Sequence, residues 1–113
     1  MAICIYGTSF DAADAAAVAA FWAEVLGRSV NPGATKESAS LAVGERSGDT
    51  TIMFHAVPEG KVVKNRLHLD LITDDFDTEL ARLRSLGATE LAEFSSWTTL
   101  ADLEGNEFDL IRG

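Results

Sequence analysis

The chain has 113 residues, of which 47% are hydrophobic, which is enough for one domain with a sizeable core. Its 9 basic and 18 acidic residues give a formal net charge of −9, which argues against binding to phosphate backbones or anionic membrane surfaces. The single cysteine can form no intrachain disulfide, and no apolar run approaches the ~18 residues of a membrane span, so we expect a cytoplasmic protein that binds neither nucleic acid nor membrane.

The first half of the sequence predicts a strand, a helix and three short strands. Residues 3–10 are rich in β-branched and aromatic types and form the first strand. Asp14 is the expected N-cap of the helix and Gly27 its left-handed C-terminal residue. Apolar residues between them share one face of the helix: Val18, Phe21, Trp22, Val25 and Leu26. Turn residues then separate three predicted antiparallel strands, at residues 28–30, 38–43 and 50–57.

The second half repeats this order after a polar linker at residues 58–65. Residues 66–73 alternate leucines at 67, 69 and 71 with His68, Asp70 and Ile72, which is typical of a strand with one face packed on apolar neighbours. A second amphipathic helix ends at Gly87. Three more short strands are predicted, at residues 89–91, 97–101 and 106–111.

An internal repeat relates the two halves. Residues 14–27 and residues 74–87 each run from an Asp to a Leu-Gly pair with the same spacing, and the two segments start 60 residues apart. The sequence therefore predicts an α+β fold of two βαβββ modules, at about residues 1–57 and 66–113, within a single domain of residues 1–113.

Four segments of the chain, in their order and spacing, resemble the glyoxalase-like branch of the vicinal oxygen chelate superfamily. They are the segments 21–27, 64–70, 86–88 and 102–108. The resemblance implies curved mixed sheets that form a small-molecule cleft, frequently a divalent metal, and commonly a homodimer. It implies no single reaction, because the superfamily includes glyoxalases, epimerases, extradiol dioxygenases, fosfomycin-modifying enzymes and bleomycin-sequestering proteins.

The same resemblance suggests where a metal would bind, since metal-dependent relatives take ligands from the first and last strands of each module. His68 and Asp109 occupy such positions in the second module, and His55 is the candidate from the first. The first-strand position of the first module falls on Gly7 or Thr8, and neither is a normal ligand of a transition metal. The sequence therefore predicts no definite cofactor, and a divalent metal held by His55, His68 and Asp109 stays an open alternative.

Other residues are candidates for ligand binding. His68 alternates with leucines, which directs it into the cleft as a base or a ligand, although Asp70 on the same strand face could equally hold it as a structural histidine. Trp97 begins a strand where an indole could line a pocket, and Tyr6 could direct its hydroxyl to the cleft. Together with His55, these side chains make the expected lining of the site.

Two classes of function remain open at this point. An isomerase or lyase would transfer a proton on an oxygen-rich metabolite, with His68 or Asp109 as general base. A binding protein of the bleomycin-resistance type would sequester an aromatic or cationic compound without catalysis.

Overall fold

The computed structural model describes residues 2–46 and 48–113, and its α+β fold class confirms the prediction. The chain divides into two units, Met1–Gly60 and Lys61–Gly113, and each unit is a mixed sheet with one helix. The boundary between the units falls inside the predicted linker at 58–65. In the described part of the chain, no helix has the length and apolarity needed to cross a membrane.

Among its described residues, 2–46 and 48–60, the first unit has fewer strands than the sequence predicts. Its elements are β1 (Gly7–Ala12), α1 (Ala15–Leu26), β2 (Ser38–Leu41) and β3 (Thr51–Ala56), with sheet order β1-β3-β2. The strand predicted at 28–30 is a single bridge between Val30 and Leu41, because the turn that contains Pro32 follows at once and proline donates no backbone hydrogen bond. The first strand starts at residue 7 rather than 3, since Gly7 pairs with the first residue of β3.

Helix α1 follows the predicted pattern. Asp14 caps its N-terminus by accepting a hydrogen bond from the backbone N–H of Ala17 at 3.1 Å, and Gly27 ends it with φ 64°. Trp22 is 1% exposed, and its ring lies 5.3 Å from the ring of Phe10, which confirms the apolar stripe as core.

The second unit has the predicted βαβββ order. Its elements are β4 (Leu69–Thr73), α2 (Phe76–Leu86), β5 (Thr89–Glu93), β6 (Trp97–Ala101) and β7 (Glu107–Arg112), with sheet order β4-β7-β6-β5. The N-cap of α2 is Asp75, because β4 continues to Thr73, whose hydroxyl accepts a hydrogen bond from the backbone N–H of Asp75. Strand β4 starts three residues later than predicted, where Leu69 pairs with Phe108.

The four-stranded sheet of the second unit has one buried apolar face and one face that carries both polar and apolar side chains. Phe108, Leu110 and Leu100 are buried on the face that packs against α2. Because side chains alternate along a strand, Glu107 and Asp109 lie on the opposite face, as the sequence predicts. We call this opposite face the site face.

A hydrogen-bonded turn joins β6 to β7. Asp102 is 3% exposed, and its Oδ1 accepts the backbone N–H groups of Glu104 and Asn106 at 2.9 and 3.0 Å. The side-chain amide of Asn106 donates to both carboxylate oxygens, and Gly105 adopts φ 90°. This turn sets the register in which Ala101 pairs with Glu107.

Replacing Thr98 by valine is expected to raise the free energy of unfolding by about 1 kcal/mol. The hydroxyl of Thr98 is buried under the sheet and has no hydrogen-bond partner within residues 2–46 and 48–113, so an isosteric methyl removes a desolvation cost. Urea denaturation would measure the change. Thr99→Val, one residue later on the site face, is the matched control and should destabilise the protein, since the Thr99 hydroxyl is bonded. A loss of stability in Thr98→Val would contradict the prediction.

Candidate functional site

His68 lies one residue before β4 and carries the central side chain of the site. Its Nδ1 is 3.2 Å from Asp70 Oδ1 and 3.8 Å from Asp109 Oδ2, and its side chain is 35% exposed. Two carboxylates on one side of the ring favour a proton on Nδ1. The ring then has its basic lone pair on Nε2, where it can accept a proton from a bound molecule.

Three adjacent strands build the cluster around this imidazole. In the sheet register, Asp70 on β4 pairs with Asp109 on β7, and Asp109 pairs with Thr99 on β6. The Thr99 hydroxyl donates a 2.6 Å hydrogen bond to Asp109 Oδ1. Asp109 is therefore fixed in place by one neighbour while its other oxygen is directed to His68. Thr99 was not among the predicted site residues.

Glu107 on β7 binds residues of the segment 61–65, which precedes His68. Its Oε1 accepts the backbone N–H of Asn65 at 3.0 Å and lies 3.1 Å from Lys61 Nζ. The hydrogen bond from Asn65 is the main cause that lowers the pKa of the Glu107 carboxyl from 4.5, and Lys61 lowers it further. Because Asn65 is three residues before His68, this contact restrains the approach of His68 to the sheet.

The remaining predicted residues lie in different places. Trp97, the first residue of β6, stacks on Phe94 with ring centroids 4.4 Å apart. His55 lies in the first unit on β3, exposed and in register with Asp11 on β1. Tyr6 precedes β1 and is 75% exposed, outside the strand that was predicted to position it.

The packing of β1 against β3 explains why residue 7 is a glycine. Gly7 pairs with Thr51, and a Cβ atom at residue 7 would overlap the backbone carbonyl of Thr51. A side chain cannot be added there unless the two strands move apart. The close approach of β1 to β3 thus requires glycine and excludes a histidine ligand in this backbone geometry.

A divalent metal fits the donor chemistry of the second unit. His68, Asp70 and Asp109 each offer one ligand atom, and these atoms lie within 4.8 Å of one another. One imidazole nitrogen and two carboxylate oxygens form a donor set of the size used by catalytic metal sites, and Asp70 is exposed enough to adjust. Asp70, predicted as a ligand-binding residue, thus joins the metal candidates His68 and Asp109 within one unit.

Solved structures with this fold come from several bacteria. A mutant of fosfomycin resistance protein FosX from Listeria monocytogenes, solved with Mn(II) and 1S,2S-dihydroxypropylphosphonic acid, is 13% identical over 100% of this chain and 92% of its own, with a TM-score of 0.77. FosX from Mesorhizobium loti is 16% identical over 100% and 94% of the two chains, with a TM-score of 0.75. Hypothetical protein SA1046 from S. aureus is 15% identical over 100% and 95%, also with a TM-score of 0.75. At these identities the likeness shows the fold alone.

The sequence itself matches a family model. No curated protein matches the chain. The model described as a glyoxalase-like domain, however, matches residues 7–111, which is nearly the whole chain. This chain therefore belongs to the glyoxalase-like domain family, within the vicinal oxygen chelate superfamily that its motifs resemble.

Proposed function

We propose that this protein is an enzyme that transfers a proton on an oxygen-rich small molecule, as an isomerase or a lyase, with His68 as general base. The observation that carries the proposal is the contact of the His68 imidazole with Asp70 and Asp109. A positioned base of this kind typically accelerates proton transfer by about 10²–10⁴-fold. Membership of the glyoxalase-like family supports a small-molecule substrate.

The chemistry begins at a carbon next to a carbonyl group. The C–H bond breaks, its proton goes to His68 Nε2, and its electron pair moves into the carbonyl to form an enolate. Asp70 and Asp109 stabilise the imidazolium that results, because both carboxylates lie on its Nδ1 side. Return of the proton to the opposite face of the same carbon completes an isomerisation. In an elimination, the enolate electron pair forms a carbon–carbon double bond while the β-substituent departs with the electron pair of its own bond.

A divalent ion at this site would be an alternative to the His68 mechanism, because an imidazole that binds a metal through one ring nitrogen carries its proton on the other and cannot act as the base. If bound by His68, Asp70 and Asp109, it would supply a Lewis acid that polarises a substrate oxygen. Asp109 is the other candidate base predicted from the sequence. The hydrogen bond from Thr99 holds its carboxylate in position to act as a base or as a metal ligand.

Sequestration without catalysis is the second candidate function. The stacked pair Phe94–Trp97 favours it, because an aromatic surface binds planar compounds without any need for a base. The two candidates make opposite predictions for replacement of His68. Loss of the imidazole removes proton transfer in the first and has little effect on retention of the compound in the second.

Hydrogen exchange into deuterated water tests the proposed function directly. Hydroxyacetone and 2-hydroxyacetophenone serve as probes, because both carry exchangeable hydrogens next to a carbonyl and neither is charged. We expect the protein to accelerate exchange, followed by proton NMR, and His68→Gln to reduce the acceleration at least 100-fold. Asp70→Asn should also lower the exchange rate, because it removes a carboxylate beside His68 Nδ1, whereas its matched control Asp77→Asn, which removes an exposed carboxylate from α2, should leave the rate unchanged.

Two results would overturn the one-histidine mechanism. Exchange that is unchanged in His68→Gln would remove His68 from the chemistry. A loss in His55→Gln equal to the loss in His68→Gln would favour instead the metal set of His55, His68 and Asp109 predicted from the sequence.

A further inference from the structure

A second row of side chains lies beside the acid–base cluster on the site face. Two residues along each strand from Asp70 and Asp109, Ile72 pairs with Ile111, and Ile111 pairs with Trp97. Since alternate residues share a face, this row lies on the same side of the sheet as the cluster. We call Ile72, Ile111, Trp97 and the adjoining Phe94 the apolar row.

The apolar row ends in a pair of stacked aromatic rings. The backbone N–H of Phe94 donates to the carbonyl of Trp97 at 2.9 Å, and the two rings are inclined by 21° with their centroids 4.4 Å apart. Phe94 is 47% exposed and Ile72 is 72% exposed. Mutual stacking holds the rings in a fixed orientation, so a planar group can pack on them with little loss of side-chain freedom.

Most of the charged groups next to the apolar row are negative. Asp70, Asp109 and Glu107 place three carboxylates on the site face, and Lys61 offsets one of them by pairing with Glu107. Arg112 at the end of β7 turns to the other face, where its guanidinium lies 3.9 Å from the centre of the Phe76 ring. An anionic ligand would meet repulsion here, whereas a cationic one would be attracted.

We infer that the site takes a compound with an aromatic ring and a neutral or cationic polar group, and that it rejects anions such as phosphonates. The ring stacks on Phe94 and Trp97, and the polar group reaches His68 and Asp109. Trp97 and Asp109 are diagonal neighbours on adjacent strands, and such positions are about 7–8 Å apart and within reach of an aromatic side chain, so one small compound can contact both. The inference deepens the proposed function and rests on it, because it assigns the ligand of the same site face.

A matched set of three probes separates ring from charge. Benzyltrimethylammonium carries both a ring and a positive charge, tetramethylammonium has the charge alone, and benzenesulfonate has the ring with a negative charge. Binding to the wild-type protein is followed by NMR through the indole N–H signals of the two tryptophans, and the affinities of all variants are measured by isothermal titration calorimetry, because Trp97→Leu lacks the Trp97 signal. Trp97 is expected to shift on titration, while Trp22, buried in the first unit, is the internal reference.

We expect the aromatic cation to bind about tenfold more tightly than either other probe, and Trp97→Leu and Phe94→Leu each to weaken it about tenfold. Leucine keeps the side chains apolar while removing the ring faces. Val43→Ala changes an exposed apolar residue of the first unit and is the control. Equal affinity for benzenesulfonate would overturn the charge selection, and unchanged affinity in both leucine variants would overturn the aromatic site.

Failure of this inference is distinguishable from failure of the proposed function. If Trp97→Leu weakens binding of the aromatic cation but His68→Gln leaves the exchange rate unchanged, the aromatic binding site is supported and the proton-transfer mechanism is contradicted. If His68→Gln lowers the exchange rate but Trp97→Leu and Phe94→Leu leave the probe affinity unchanged, the mechanism is supported and the aromatic site is contradicted.

Discussion

Replacing Asp102 by alanine is expected to lower the free energy of unfolding by about 3 kcal/mol, the largest effect on stability that we predict. The carboxylate is buried and accepts hydrogen bonds from two backbone N–H groups and from the Asn106 amide. Alanine would leave these donors without their acceptor. A hydrogen bond to a charged group contributes about 1.5–3 kcal/mol net, and the total stays below the sum because water reaches some of the freed donors. Urea denaturation followed by circular dichroism would measure the change.

Two companion variants sharpen the Asp102 prediction. Asp102→Asn keeps an oxygen that can accept the backbone N–H groups of Glu104 and Asn106, so it should lose less stability than alanine. Glu59→Ala removes an exposed carboxylate outside helices and strands and should leave stability within about 0.5 kcal/mol. Equal stability of Asp102→Ala and the wild-type protein would show that the turn does not depend on this carboxylate.

Replacing Glu107 by glutamine is expected to destabilise the protein by about 1–2 kcal/mol at pH 7, with an effect that fades in acid. Glutamine can still accept the Asn65 N–H, but it loses the charge that pairs with Lys61. The pKa of Glu107 in the folded protein lies below its ordinary value of 4.5. Its contribution is therefore fully present above pH 4.5 and is lost as the pH falls through the lowered pKa.

Stability measured from pH 3 to pH 7 tests the Glu107 prediction. The difference between wild-type protein and Glu107→Gln should be constant near neutrality and shrink below pH 4.5. Lys61→Gln, the matched control, removes the ion pair but leaves the bond from Asn65 to Glu107, so part of the acid dependence should persist. A difference that grows in acid would contradict the assignment of the pKa shift.

The helices were predictable because their signals are local. Asp14 and Gly27 bound α1 as expected, and Gly87 ends α2 with φ 110°. Caps and apolar spacing act within one or two turns of helix, so they do not depend on the rest of the chain. The βαβββ order of the second unit was predictable for the same reason, because turn residues separate its elements in the sequence.

The strand ends were less predictable because pairing partners determine them. Residues 3–6 have strand-forming side chains, yet β1 starts at Gly7, opposite the first residue of β3. The segment 28–30 failed as a strand because only Val30 finds a partner before the turn. Propensity alone cannot show where a partner strand stops.

The site was predictable in part. Alternation along β4 and β7 brought His68, Asp70 and Asp109 into consideration, and all three meet in the second unit. Thr99 was not predicted, although the turn at residues 102–106 indicates which residues of β6 and β7 pair. Pairing Ala101 with Glu107 across that turn also pairs Thr99 with Asp109. The roles of His55, Trp97 and Tyr6 in ligand binding stay predictions, as do the homodimer and the cytoplasmic location.

The amino-acid sequence alone was enough to predict the family, the duplicated plan and both helices. It also predicted the alternation that directs His68 and Asp109 away from the core. Those features depend on spacing within a segment of the chain. The contacts of Asp109 with Thr99, of Glu107 with Asn65, and of Phe94 with Trp97 required the folded sheet. So did the need for glycine at residue 7, where the backbone of β3 leaves no room for a Cβ atom. Each of these depends on the register and separation of strands, which are properties of paired segments rather than of any one of them.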